Sequence, residues 1–178
     1  MNSKKRYEQE QHDYREAYFE YQQSILKEEM GTIERTIARL DGAINSNKNW
    51  AILVWAGSLS ILLQDQFLND YILFTVAIPI LFWLTAARAY YHQNAAIYRQ
   101  SKISEYLNSE KLEQSFREKR FVDFTILDVM GMQYHKTEEY RQAVNYWKML
   151  TYKSLSILFG GMILVSVAVW LLLAVFSP

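Results

Sequence analysis

The sequence predicts an all-α membrane protein with three apolar helices, a hairpin plus a C-terminal span, and amphipathic helices on the cytoplasmic side. Three observations lead there. Only two prolines and six glycines interrupt 178 residues, so little stops a helix. Hydrophobic residues make up 51% of the chain, yet the mean hydropathy is only −0.14, so the apolar residues must be concentrated locally. All 19 Lys and Arg residues lie in two blocks, eight in residues 1–48 and eleven in residues 88–153, with none from Asn49 to Ala87 or from Ser154 onward. The positive-inside rule puts both blocks in the cytoplasm.

Residues 1–48 form the first segment. "MNSKKRYEQEQHD" starts basic, but no apolar run follows it, so it does not read as a cleavable secretion signal. The expectation is a retained, cytoplasmic N-terminus. Leu26, Met30, Ile33, Ile37, Leu40 and Ile44 recur at 4-3-4-3-4 spacing, which places them on one helical face. Tyr14, Tyr18, Tyr21 and Ile25 continue a similar pattern upstream, with a phase slip near Glu28–Glu29. That face either packs on the chain's own second cytoplasmic block or forms a seam between subunits.

Residues 49–91 read as a two-span hairpin. Trp50 to Leu63 is an apolar run of 14 residues and Tyr71 to Ala87 one of 17, against roughly 20 for a spanning helix. The first run is therefore a thin span, a re-entrant segment or a buried core helix. Trp50 and Tyr71 stand at the ends of the runs as interfacial aromatics do. At the exit, "ARAYYH" brings Arg88, Tyr90 and Tyr91. Arg88 can snorkel to the phosphate layer, and the tyrosines fit the aromatic belt beside it.

Residues 92–153 return to the cytoplasm. Helix is expected through "QNAAIYRQSKISEYL", with a restart capped at Asn108–Ser109 and another opening at Thr137. The last helix is expected to carry Tyr140, Val144, Trp147 and Thr151 on one face and to run unbroken into the C-terminal span, residues 154–178. "FVDFTILDVMGMQYH" has no clear periodicity, and Gly131 can break a helix there.

Signals for chemistry are sparse. The absence of cysteine removes disulfides, thiolate metal sites and a Cys nucleophile. The three histidines, His12, His92 and His135, form no metal spacing, and no phosphate loop or nucleophile elbow occurs. No metal, cofactor or enzymatic activity is expected. Zero net charge gives no general nucleic-acid signature. The remaining enzymatic idea is RNA cleavage by an Arg/His pair, as in the helical HEPN ribonucleases, in which four to six residues separate Arg from His. Arg88 and His92 have three between them, and Arg6 and His12 have five. Within the spans, Gly57, Ser156, Gly160 and Gly161 are small enough for close helix packing. Asn49, Gln64 and Asp65, at the ends of the first run, are candidates for the mouths of a pore built by several copies.

"IERTIARLDGAINSNKNWAILVWAG" and the return ending "LFWLTAARAYYHQNAAIYR" resemble small bacterial membrane proteins of defence gene neighbourhoods. The layout, over roughly residues 30–105, is similar to the two-span SLATT group and to the accessory membrane proteins of type VI-B CRISPR systems. The resemblance implies a homo-oligomeric, pore-forming effector of the bacterial inner membrane, with the N-terminus cytoplasmic and the C-terminus outside. Its partners would be the lipid bilayer, further copies of itself and a cytoplasmic defence protein. A non-conducting scaffold and a membrane-bound HEPN-type ribonuclease are the alternatives.

Overall fold

A computed structural model describes the backbone of residues 3–64 and 66–176 and the side chains of residues 7, 9–64 and 71–175. Every regular element is helical, and no strand occurs among the described residues. Helix α1 (Ser3–Gln64) is followed by a 3₁₀ segment (Gln66–Val76), α2 (Ala77–Leu107) and α3 (Glu110–Glu118). An irregular stretch with a short 3₁₀ turn (Met132–Tyr134) leads to α4 (Glu138–Ala143), α5 (Tyr146–Leu150) and α6 (Lys153–Phe176). The chain forms two compact units: residues 1–38 with 94–143, and residues 39–93 with 144–178.

The first unit is built on the predicted α1 stripe. Leu26 and Ile33 are buried against Ala96 and Ile103 of α2, and Met30, Ile37, Phe121, Phe124 and Val129 close around them. Part of that face is therefore filled by the chain's own later residues. Phe19 extends the core, with its ring 5.4 Å from that of Phe116 and 5.6 Å from that of Phe121. The helix restart is at Glu110, as expected. However, Ser109 makes no side-chain cap and instead donates its hydroxyl to the Tyr106 carbonyl, 2.7 Å away. Thr137 does cap α4, accepting from the Tyr140 N–H at 3.2 Å. Between α3 and α4, Lys119, Asp123, Leu127 and Gly131 all have positive φ, and so many left-handed residues exclude a continuous helix. At Gly131 a Cβ would also meet the Tyr140 ring at 3.4 Å.

The second unit holds the apolar runs, and two expectations are corrected there. The run Tyr71–Ala87 is not one α-helix: it is 3₁₀ as far as Val76 and α only from Ala77. Pro79 is the cause. It has no N–H for an i−4 bond, and its ring would clash with the carbonyl of residue 75, so it is tolerated only in the first turn of a helix. The C-terminal helix is not continuous from Thr137. It breaks twice, before Asn145, which caps α5 by accepting from the N–H groups of Trp147 and Lys148, and again around Thr151. Tyr140 and Val144 are accordingly buried, while Trp147 and Thr151 turn outward. The run Trp50–Leu63 forms the last turns of α1. Two stretches, Tyr71–Leu107 and Glu138–Val175, are long and apolar enough to cross a membrane.

One polar knot ties the apolar segments together. The Trp55 indole N–H donates to Ser166 Oγ at 2.8 Å. Ser166 Oγ lies 2.9 Å from Thr75 Oγ1, which is 2.7 Å from the Ile72 carbonyl. Each hydroxyl has one proton, so a chain in which Ser166 donates to Thr75 and Thr75 to Ile72 leaves no donor unpaired. Ser166 and Thr75 are buried. Ser166→Ala should lower the unfolding free energy in detergent by about 1 kcal/mol, because it strands the Trp55 N–H. A thermal melt reads this directly, and an unchanged melting temperature would show that the knot adds nothing.

Candidate functional site

The second unit presents to its surroundings a surface unsuited to water. Phe74 (72% exposed), Leu164 (71%) and Val175 (73%) stand outward, as do Leu53, Leu81 and Ile157. Exposed apolar surface of this kind is a contact surface for lipid or protein. Its interior is apolar as well: Ala51, Ala86, Ala87, Met149, Leu155 and Phe159 are buried together.

Polar ends of aromatic side chains gather at one level of this unit. The Trp83 indole N–H donates to the Leu150 carbonyl at 3.0 Å, and the Tyr146 hydroxyl donates to the Leu84 carbonyl at 3.3 Å. Lys48 Nζ donates to the Tyr90 hydroxyl at 3.4 Å, and the Tyr90 ring meets Tyr152 edge-on at 5.2 Å. Asn47 clamps α1 to α2 with both ends of its amide, donating to the Phe82 carbonyl at 2.8 Å and accepting from the Thr85 hydroxyl at 3.0 Å. Rings with an apolar body and a hydrogen-bonding tip suit the boundary between hydrocarbon and water.

Of the predicted rim residues, Trp50, Arg88, Tyr90 and Tyr91 lie close in sequence to these contacts, whereas Tyr71 stands at the other end of its run. Arg88 is exposed, Tyr90 and Tyr91 are half-buried, and Trp50 and Tyr71 are exposed. Arg88, Tyr91, His92 and Tyr146 line a shallow cavity of about 340 Å³. His12 is exposed 3.9 Å from Asp13 Oδ1, whereas the Arg6 side chain lies outside the described residues. Asn49 and Gln64 are exposed at opposite ends of the first run, about 22 Å apart at 1.5 Å per residue. Asp65 lies outside the described residues. Among the described residues nothing comes within 4 Å of a Cβ built at Gly57, Gly160 or Gly161, so no close helix approach seen there uses them. Ser156 is half-buried, its hydroxyl 3.5 Å from the Leu150 carbonyl.

A buried ion pair in the first unit escaped the sequence reading. Arg99 Nε donates to Glu29 Oε1 at 2.8 Å, and neither side chain is exposed. Arg99 Nη2 donates to the Thr125 carbonyl, and the guanidinium lies 4.7 Å from the centre of the Phe124 ring. Glu29 also accepts the backbone N–H groups of Leu127 at 2.7 Å and Asp128 at 3.0 Å. The pair thus pins residues 124–128 to α1 and α2. Two signals for it were present: Glu29 interrupts the Leu26–Ile33 face, and Arg99 falls between Ala95, Ala96 and Ile103 on the buried face of α2. A second, outer link joins Lys119 to Glu16 at 2.7 Å. The hydrogen bond and charge of Lys119 hold the Glu16 carboxyl below its usual range. This link is therefore complete above the ordinary carboxylate range and is lost as pH falls through the lowered value.

No protein-family model, curated protein or solved structure matches the chain.

Removing either partner of the buried pair leaves the other as an uncompensated charge, at a cost of about 3–5 kcal/mol. Glu29→Ala and Arg99→Ala should each open residues 119–131 to protease in the full-length protein. A cleavage pattern like that of the unsubstituted chain would contradict the pinning role.

Proposed function

We propose that this chain is a homo-oligomeric protein of the bacterial inner membrane that permeabilises it as the effector of a CRISPR-type antiphage defence. The observation that carries the membrane part is the exposed apolar surface of the second unit, on segments from which every Lys and Arg is absent. α6 (24 residues) rises roughly 36 Å, enough for the roughly 30 Å hydrocarbon core. The 3₁₀ segment and the start of α2, from Gln66 to Ala87, rise roughly 38 Å at about 2.0 Å and 1.5 Å per residue. The 14 residues of the first run rise only about 21 Å, so in the three-span arrangement Asn49 and Gln64 sit at the edges of a thinned layer. The charge map supports an N-terminus in the cytoplasm and a C-terminus outside.

The permeabilising role rests on the resemblance of residues 30–105 to defence-associated membrane proteins. It also fits the open flanks at Gly57, Gly160 and Gly161, where other copies can approach closely. The chain acts in this reading without a cofactor and without catalysis. The scaffold reading is favoured by one feature, a groove of about 430 Å³ in the first unit lined by Met30, Ile33, Ile97 and Leu107, among others, which could seat a cytoplasmic partner.

Purified protein in liposomes should run as an oligomer and release a trapped small dye. A monomer that releases none would overturn the proposal. Arg6→Ala/His12→Ala and Arg88→Ala/His92→Ala variants should release dye like the parent. If either pair instead abolished an RNA-cleaving activity of the purified parent, the ribonuclease reading would replace this one.

A further inference from the structure

α1 carries a second stripe that no other described residues bury. Tyr7, Tyr14, Tyr18 and Tyr21 are 65%, 71%, 52% and 63% exposed. Their 7-4-3 spacing is a heptad track, with Tyr7, Tyr14 and Tyr21 at d and Gln11, Tyr18 and Ile25 at a. At 100° per residue this stripe is centred about 110° around the helix from Phe19, Leu26 and Ile33, the residues buried in the first unit. α1 therefore has two apolar seams, of which one is filled.

We infer that the tyrosine stripe is a parallel seam against α1 of a second copy of this chain. The charges flanking the stripe support a second copy in parallel. With Tyr14 at d, Glu10 takes position g and Arg15 position e, and a parallel pair sets g of one helix beside e, five residues on, of the other. Glu10 then meets Arg15 of the second copy twice, once on each side of the seam. The inference rests on the membrane reading in one respect, since copies inserted the same way can meet only in parallel. Four tyrosines so exposed present on the order of 500 Å² per helix, below the roughly 800 Å² per partner of a standard complex. The seam is too small to hold two free molecules tightly, and confinement to one membrane supplies the missing effective concentration.

The lack of cysteine makes the test clean. Single-cysteine variants of the full-length protein are oxidised in native membranes and resolved without reductant. Gln11→Cys and Tyr18→Cys, at a, should give a disulfide dimer. Asp13→Cys and Glu20→Cys, exposed at position c, should give at least about tenfold less, because cysteines more than about 7 Å apart at Cα do not bridge. Equal cross-linking at a and c, or none at any of the four, overturns the seam, and the second result would leave the tyrosines to the lipid surface or another protein. In the Gln11→Cys background, Arg15→Glu should reduce the dimer band and Glu10→Lys/Arg15→Glu should restore it. A double variant no better than Arg15→Glu also overturns the inference. Dye release from the same vesicles is read separately: dimer bands without release would contradict permeabilisation and leave the seam standing.

Discussion

Taking charge out of water is the most expensive step open to this chain, and the placement of its charges follows from that cost. A buried ion pair needs good geometry and further hydrogen bonds to offset desolvation. Glu29 and Arg99 meet that requirement with two backbone N–H donors, one carbonyl acceptor and an aromatic face, and Arg99 Nη1 is the single nitrogen of the guanidinium buried without a hydrogen-bond partner among the described residues. The apolar segments of the second unit take the other solution. They bury no Lys, Arg, Asp or Glu among the described residues, and their buried hydroxyls bond to one another and to an indole.

The same constraint separates what each unit can do. In the first, the ion pair holds an irregular segment whose left-handed residues, Leu127 among them, would otherwise cost about 1–2 kcal/mol each. Two of its backbone N–H groups are satisfied by a carboxylate 98 and 99 residues away in sequence, which makes the segment dependent on tertiary structure. In the second, the outward Leu, Ile and Phe side chains gain nothing in water. A lipid or protein environment is their natural complement.

Much of this was legible in the sequence, because it followed from periodicity and composition. The spacing of Leu26, Ile33 and Ile44 marks residues that are indeed buried, and the helix starts at Glu110 and Glu138 stand where they were expected, although only Thr137 caps with its side chain. What escaped was set by single residues or by distant pairs. Pro79 divides an apolar run that hydropathy treats as uniform, and Asn145 finds the N–H groups of a new helix where periodicity suggested continuity. Glu29 and Arg99 lie 70 residues apart, so only their placement on apolar faces hinted that they would meet. The candidate pore and rim residues were chosen by position along the runs, and position alone did not distinguish the exposed Trp50 from the half-buried Tyr90.

The membrane topology implied by the charge map underlies both the proposed permeabilisation and the parallel seam. The most direct measurement is labelling of single cysteines in intact cells with a membrane-impermeant maleimide. Ser177→Cys should be labelled once the outer envelope is opened, while Ser109→Cys should be labelled only after the inner membrane is broken. Labelling of Ser109→Cys in cells with an intact inner membrane, or recovery of the chain in the soluble fraction, would contradict that topology.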